Sequence, residues 1–251
     1  MSDVEVIAGA EPLSHEGDRR GVLVVHGFTG NPASMRPVAE ACVDAGFSVE
    51  LPRLAGHGTS IDDMLTTGWA DWSRDAQAAL DRLKERTDRQ VVVGLSMGGT
   101  LTAWLASRND VAGAVFINAL VRNADPAMRS MLEDMVAAGE TVSPGIGSDI
   151  ADPDVVESAY EGTPLVPLIT LFDAVEELQP KLADITCPVL IMTSPEDHVV
   201  EPVNSDHLAE KVTGPVERVT LERSYHVATL DYDRDLIRQQ VVQFCEKVLG
   251  D

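Results

Sequence analysis

A chain of 251 residues, 44% hydrophobic and 24% charged, has the make-up of an ordinary globular protein and is long enough for one large domain with a sizeable core. Its 41 acidic and 19 basic residues give a formal charge of -22, which argues against nucleic acid or anionic membrane as a partner, because both need clustered Lys and Arg. Cys42, Cys187 and Cys245 are scattered, odd in number and without a C-x-x-C pair, so neither a zinc site nor a disulfide framework is expected, and no cofactor is implied.

Taken in order, the chain opens on Met1-Ser2-Asp3-Val4-Glu5, which lacks the basic and apolar regions of a signal peptide. No apolar run reaches the length that spans a bilayer, so no stable membrane insertion is expected and a reduced cytoplasm is the simplest compartment. Val4–Ala8 reads as an edge strand. Gly21–Val25 is a continuous apolar run, as expected of a strand covered on both faces. It runs into His26-Gly27-Phe28-Thr29-Gly30, and Asn31-Pro32 then fits an N-cap with proline at the first helical position, opening a helix to Ala45. Phe47–Leu51 is the next strand, followed by a loop with Gly56-His57-Gly58. Trp69–Glu85 carries Trp69, Trp72, Ala76, Ala79, Leu80 and Leu83 near one helical face.

Gln90–Val93 then leads into Gly94-Leu95-Ser96-Met97-Gly98, a G-x-S-x-G pattern between a β-branched run and a helical segment from Thr100 to Ser107. A strand, sharp turn and helix of this kind force the serine at the apex into a strained conformation and crowd its neighbours two positions away, where glycine relieves the crowding. Val111–Ile117 is another buried strand, and the alternation so far predicts a parallel, doubly wound sheet. From about 121 to 182 the alternation stops. Met128, Met131, Leu132, Met135 and Val136 recur at helical spacing, and Pro144, Gly145, Gly147, Pro153, Pro164 and Pro167 break the stretch. It is too long for a simple connection, so we read one domain over residues 1–251 with a cap inserted at about 121–182. The methionines either face a hydrophobic ligand or form a plain helical core patch. The sheet pattern resumes at Pro188–Met192, with a helix over Pro202–Lys211, a strand over Val216–Leu221 and an amphipathic helix over Asp233–Leu249.

Three loops after predicted strands offer Ser96, Asp197 and His226, in the chain order Ser…Asp…His of serine hydrolases with an α/β sheet. A serine hydroxyl needs an adjacent base, a histidine titrates near neutrality, and a carboxylate on its far nitrogen fixes the tautomer. Asp197 is preferred over the adjacent Glu196 because it lies in the turn shaped by Pro195. His226 is preferred over His15, His26, His57, His198 and His207 because it alone follows the last strand and precedes the final helix. The residue after the nucleophile, Met97, and Phe28 in the loop after the first buried strand are the expected N–H donors of an oxyanion hole. His26 and His57 read as structural residues of their loops.

H-G-F-T-G at 26–30, G-H-G at 56–58, G-L-S-M-G-G at 94–99, P-E-D at 195–197 and S-x-H at 224–226 together resemble the small bacterial carboxylesterases and monoacylglycerol lipases of the α/β-hydrolase superfamily. The match runs over nearly the whole chain and is weakest across 121–182. Tyr225 departs from it, since many relatives carry glycine before the histidine. The resemblance implies an α/β-hydrolase fold, a mostly parallel doubly wound sheet with a small helical cap. It also implies metal-independent hydrolysis of neutral acyl esters, with a small-molecule ester as partner and Phe28 and Met97 as oxyanion donors. A thioesterase or amidase on the same fold, and a ligand-binding relative without catalysis, are the alternatives.

Overall fold

The computed structural model describes residues 5–145 and 147–250. Among them are strands β1 (Leu13–His15), β2 (Arg20–Val25), β3 (Ser48–Leu51), β4 (Arg89–Leu95), β5 (Gly113–Ile117), β6 (Val142–Pro144), β7 (Gly162–Pro164), β8 (Val189–Thr193) and β9 (Val216–Thr220). The helices are α1 (Pro32–Asp44), α2 (Ile61–Met64), α3 (Trp69–Lys84), α4 (Met97–Ala106), α5 (Pro126–Ala137), α6 (Leu165–Leu178), α7 (Val203–Lys211) and α8 (Arg234–Leu249). Seven strands form one sheet in the order β1-β3-β2-β4-β5-β8-β9, parallel except for β1, while β6 and β7 make a separate antiparallel hairpin.

The apolar runs are continuous because both faces of this sheet are covered. Alternate residues enter opposite layers, as the two-residue period of a strand requires. Leu23, Val25, Val92, Phe116 and Ile191 pack with Trp72 and Leu80 of α3, Leu101 of α4, and Leu171 and Val175 of α6. Val22, Val24, Val91, Val93, Val115 and Leu190 pack on the other face with Met35 and Val38 of α1 and with Ile237, Val241 and Phe244 of α8. The expected doubly wound sheet is thus present, with parallel strands whose carboxyl ends all open on one edge. Asn31 caps α1 as expected, its Oδ1 accepting the Ala33 N–H at 2.9 Å.

Two local expectations are corrected. Residues 5–8 form no strand, and Val4 lies outside the described residues; the Ile7 N–H is satisfied by a single bond to the Gly58 carbonyl at 2.9 Å. The edge is instead β1, paired with β3 through Leu13 opposite Leu51 and His15 opposite Val49. It is held by a polar cluster in which Ser14 Oγ and Arg86 donate to the buried Glu50 carboxylate at 2.6 and 2.7 Å. Pro167 does not break a helix either. It sits in the first turn of α6, where a missing N–H costs nothing.

Between β5 and β8 lie α5, the hairpin, an irregular strap over residues 147–161, α6 and a short 3-10 helix, Gln179–Asp184. The methionine expectation fails in part. Leu132, Met135 and Val136 of α5 pack against Leu165 and Phe172, whereas Met128 and Met131 are exposed. No helix among the described residues is long and apolar enough to cross a membrane.

Candidate active site

Ser96 stands where β4 gives way to α4, at φ 56° and ψ -119°, a backbone conformation that side chains rarely adopt. The glycines around it are dictated by contact. A Cβ at 94 would overlap the Gly98 carbonyl, and one at 98 would overlap the Val25 carbonyl. The turn is further pinned by Ser96 N–H to the Ile117 carbonyl at 3.0 Å and by Leu120 N–H to the Ser96 carbonyl at 3.3 Å. The hydroxyl is therefore presented by a rigid backbone at the carboxyl edge of the central strand.

His226 lies in the turn after β9, and Asp197 in the loop after β8. Asp197 Oδ2 and His226 Nδ1 are 2.8 Å apart, with both side chains almost wholly buried. Asp197 Oδ1 accepts the main-chain N–H groups of Val199 at 2.9 Å and Val200 at 2.8 Å, which fixes the carboxylate's rotation and leaves Oδ2 to the imidazole. Glu196, the competing carboxylate, is exposed. Asn118, itself at φ 44°, donates through Nδ2 to the His226 carbonyl at 2.8 Å and to Ser194 Oγ at 3.0 Å, tying the two loops at their base.

Ser96 and His226 line one cavity of about 90 Å³, together with Phe28 and Thr29 from the loop after β2 and with Asp149, Glu157, Ala159, Tyr160 and Thr163. Ser96 Oγ and His226 form no hydrogen bond, and such contacts commonly tighten only once substrate is seated. The Phe28 loop passes close to the serine: a Cβ on Gly27 would lie 3.3 Å from Ser96 Cβ. Among the described residues, neither the Phe28 N–H nor the Met97 N–H has an acceptor. Met97 is the first residue of α4, where N–H groups point out of the helix unpaired.

The chain matches the family described as serine aminopeptidase, S33 (Hydrolase_4) over residues 17–233. It belongs to this α/β-hydrolase family. It is 45% identical to a thermostable monoacylglycerol lipase of Bacillus sp. (strain H-257) over 98% of both chains. It is 25% identical to a carboxylesterase of Bacillus subtilis (strain 168) over 95% of this chain and 97% of that one. A solved structure of metagenome-derived lipolytic enzymes (LipS and LipT) superposes with a TM-score of 0.92 at 42% identity, covering 97% of this chain and 100% of the other.

Two other histidines of this α/β-hydrolase, His26 and His57, have structural surroundings. His26 is buried, its Nδ1 3.0 Å from the Gly27 carbonyl and its Nε2 accepting the Leu54 N–H at 3.2 Å, so it joins the Phe28 loop to the loop after β3. His57 packs edge-on against His26, Phe28 and Trp72. Burial pushes His26 down to about 4, and burial with the neighbouring His26 holds His57 well below its ordinary range. Unfolding exposes both rings and restores a pKa near 6.5. Above pH 6.5 both states are neutral and the fold keeps its full stability. As the pH falls from there towards 4, the unfolded chain takes up protons that the folded rings refuse, and stability declines by about 3 kcal/mol from His26 alone. The urea midpoint is therefore expected to drop steadily between pH 7 and pH 4.5; a flat midpoint over that interval contradicts the neutral buried pair.

Two cavity residues carry no motif. Glu157 Oε1 points toward Gly30, at 2.8 Å from where a Cβ there would sit, and its carboxylate meets no hydrogen-bond donor among the described residues. Burial raises its pKa above the ordinary carboxylate range, and the His226 imidazole works in the other direction. Asp149 joins the His226 and Asp197 loops. Both residues come from the strap, the region where the sequence offers least pattern. A groove of about 540 Å³ along α5, lined by Ala127, Met131, Met135 and the carboxylates of Asp134 and Glu140 among others, includes neither Ser96 nor His226.

Proposed function

We propose that the protein hydrolyses neutral carboxylic esters, monoacylglycerols foremost, through an acyl-enzyme formed on Ser96. The observation that carries this reading is one cavity holding a strained serine at a helix start and an imidazole whose Nδ1 is engaged by a buried carboxylate. With Nδ1–H donated to Asp197, His226 Nε2 is free to take the Ser96 proton as Oγ attacks the ester carbonyl. Negative charge gathering on the carbonyl oxygen falls to the N–H groups of Phe28 and Met97, donors of a kind worth roughly 10²–10³ in rate each. His226 returns the proton to the departing alcohol, and water activated by the same ring then releases the acid.

The residues from 121 to 182 serve as the cap of this single domain, and its working part is the strap, since α6 contributes Leu171, Val175 and Leu178 to the main core. A cavity of about 90 Å³ is well below the roughly 300–1,000 Å³ of pockets that enclose whole ligands. It suits the reacting ester and its alcohol, with a long acyl chain leaving past the strap. An unpartnered Glu157 lining the cavity with the serine gives that alcohol side a polar wall, fitted to the hydroxyls of glycerol, and the chain's formal charge of -22 disfavours anionic esters.

The test is kcat/KM on a monoacylglycerol, a nitrophenyl ester, a thioester and an anilide of one acyl chain, and on an anionic ester, for wild type and Glu157→Leu. Monoacylglycerol should be the best substrate. Glu157→Leu should lower its kcat/KM by about tenfold, the loss of one or two hydrogen bonds to substrate, and change the nitrophenyl ester by less than threefold. Equal losses on both esters remove Glu157 from alcohol recognition, and a preference for the anilide or thioester overturns the ester reading.

A further inference from the structure

The strap does more than cover the cavity. Its polar groups are bonded to both sides of the site. At one end Asn31 Nδ2 donates to Ser158 Oγ at 3.2 Å, the Tyr160 N–H donates to the Thr29 carbonyl at 3.2 Å, and Tyr160 Oη donates to the Gly56 carbonyl at 2.7 Å. The first two bonds hold the end of the Phe28 loop, and the third holds the loop after β3. At the other end stands Asp149. Its Oδ2 accepts the main-chain N–H of His226 and that of His198, each at 3.1 Å, and its Oδ1 lies 2.8 Å from His198 Nδ1. The Val227 N–H donates to the Asp149 carbonyl at 3.1 Å. Just beyond, the buried Asp231 accepts the N–H groups of Ala151 at 2.7 Å, Asp152 at 3.0 Å and Tyr225 at 2.9 Å, fastening the same segment to the same turn.

We propose that Asp149 is a positioning residue for the general base: one carboxylate from the strap bridges the loop that carries Asp197 and the turn that carries His226, and so sets the imidazole's approach to Ser96. The assignment rests on the reading of His226 as the base of Ser96. The two loops are joined at the ring by Asp197 and His226 themselves, and at the base by Asn118. The first holds only the ring, and the second holds the main chain of His226 by its carbonyl alone. Asp149 does so through the N–H of the residue that must aim its ring. A side chain of alanine leaves that N–H and the His198 N–H without an acceptor; the bonds from the Asp149 carbonyl, Asp231 and Asn118 keep the turn in place, but a shift of His226 by a fraction of an ångström within it is enough to cost an order of magnitude or more in rate. Asparagine keeps an oxygen in the place of Oδ2 and presents its amide to His198 Nδ1, so it preserves the bridge.

The experiment uses the full chain as wild type, Asp149→Ala, Asp149→Asn and Ser96→Ala, with steady-state kinetics on a monoacylglycerol, thermal unfolding, and the downfield proton resonance of the His226 Nδ1–H bonded to Asp197. Asp149→Ala should lower kcat roughly 10- to 100-fold with KM within threefold, and should broaden or shift the resonance. Asp149→Asn should restore kcat to within about threefold of wild type and recover the resonance. Should Asp149→Ala fail to fold, Asp149→Ser, too short to span both loops, is expected to show the same fall in kcat. A folded Asp149→Ala or Asp149→Ser with wild-type kcat and an unchanged resonance overturns the proposal. So does a fall in kcat that Asp149→Asn shares in full. Ser96→Ala separates the two readings: if it is inert while Asp149→Ala is fully active, the Asp149 assignment alone falls, and if it turns over normally, both fall.

Discussion

Replacing Ser96 with glycine should abolish ester hydrolysis and at the same time raise the melting temperature. The residue sits at φ 56°, where a Cβ costs roughly 1–3 kcal/mol that glycine does not pay. Glycine returns about 0.5–1 kcal/mol of this through the greater freedom of the unfolded chain. A net gain near 1 kcal/mol corresponds to a rise of about 2–4 °C for a domain of this size. With Ser96 proposed as the nucleophile, loss of its hydroxyl should reduce kcat by on the order of 10⁴- to 10⁶-fold. Ser96→Ala is the internal control, because it removes the same hydroxyl but keeps the Cβ and hence the strain. It should be equally inert and show little change in melting temperature. Calorimetry and monoacylglycerol turnover on the two variants decide the matter. A glycine variant no more stable than the alanine variant means that the turn stores no strain, and turnover above one per cent in either removes Ser96 as nucleophile.

The same turn explains why the centre of the molecule was legible before its edges. Val91-Val92-Val93 is a β-branched run suited to a strand buried on both faces, and Gly94 and Gly98 are required by overlaps with the Gly98 and Val25 carbonyls that any side chain would meet. Those constraints are local, so they leave a local signature. The loops bearing Phe28, Asp197 and His226 inherit their place from the strands before them, because parallel neighbours in one sheet must end on the same edge. Edge strand β1 has no such signature. Leu13-Ser14-His15 pairs with β3 because Ser14, Glu50 and Arg86 meet from β1, β3 and the turn after α3, whereas the apolar residues near Val6 found no partner strand. Asp149 and Glu157 were invisible for a related reason. In sequence they are two of many acidic residues in a loop-rich stretch, and their meaning comes from neighbours such as His226 and Gly30, far away along the chain. Tyr225, the residue that departs from the family pattern, is accommodated by turning its ring onto His198 at 4.6 Å, while its N–H and carbonyl bind Asp231 and Ser194 as part of the turn.

The second large effect is expected at Asp197, and its cause is the orientation of one carboxylate. Oδ1 is committed to the N–H groups of Val199 and Val200, leaving Oδ2 for His226 Nδ1. In Asp197→Asn only the amide oxygen can accept from that N–H pair, so the amide NH₂ is forced to face Nδ1. Two donors cannot share that position. The imidazole responds by moving its proton to Nε2, the tautomer in which Nε2 points a hydrogen at Ser96 instead of a lone pair. The pair is nearly isosteric, so unfolding should be little changed while kcat falls by about 10⁴-fold, the scale found when the same exchange is made in a serine-protease triad. The rate of covalent labelling by a fluorophosphonate should fall in parallel, because that reaction also needs the serine proton removed. Glu196→Gln, one position away but exposed to solvent, should leave both rates within twofold. An Asp197→Asn variant that retains a tenth of wild-type kcat, or a Glu196→Gln variant that loses it, would move the orienting carboxylate from Asp197 to its neighbour.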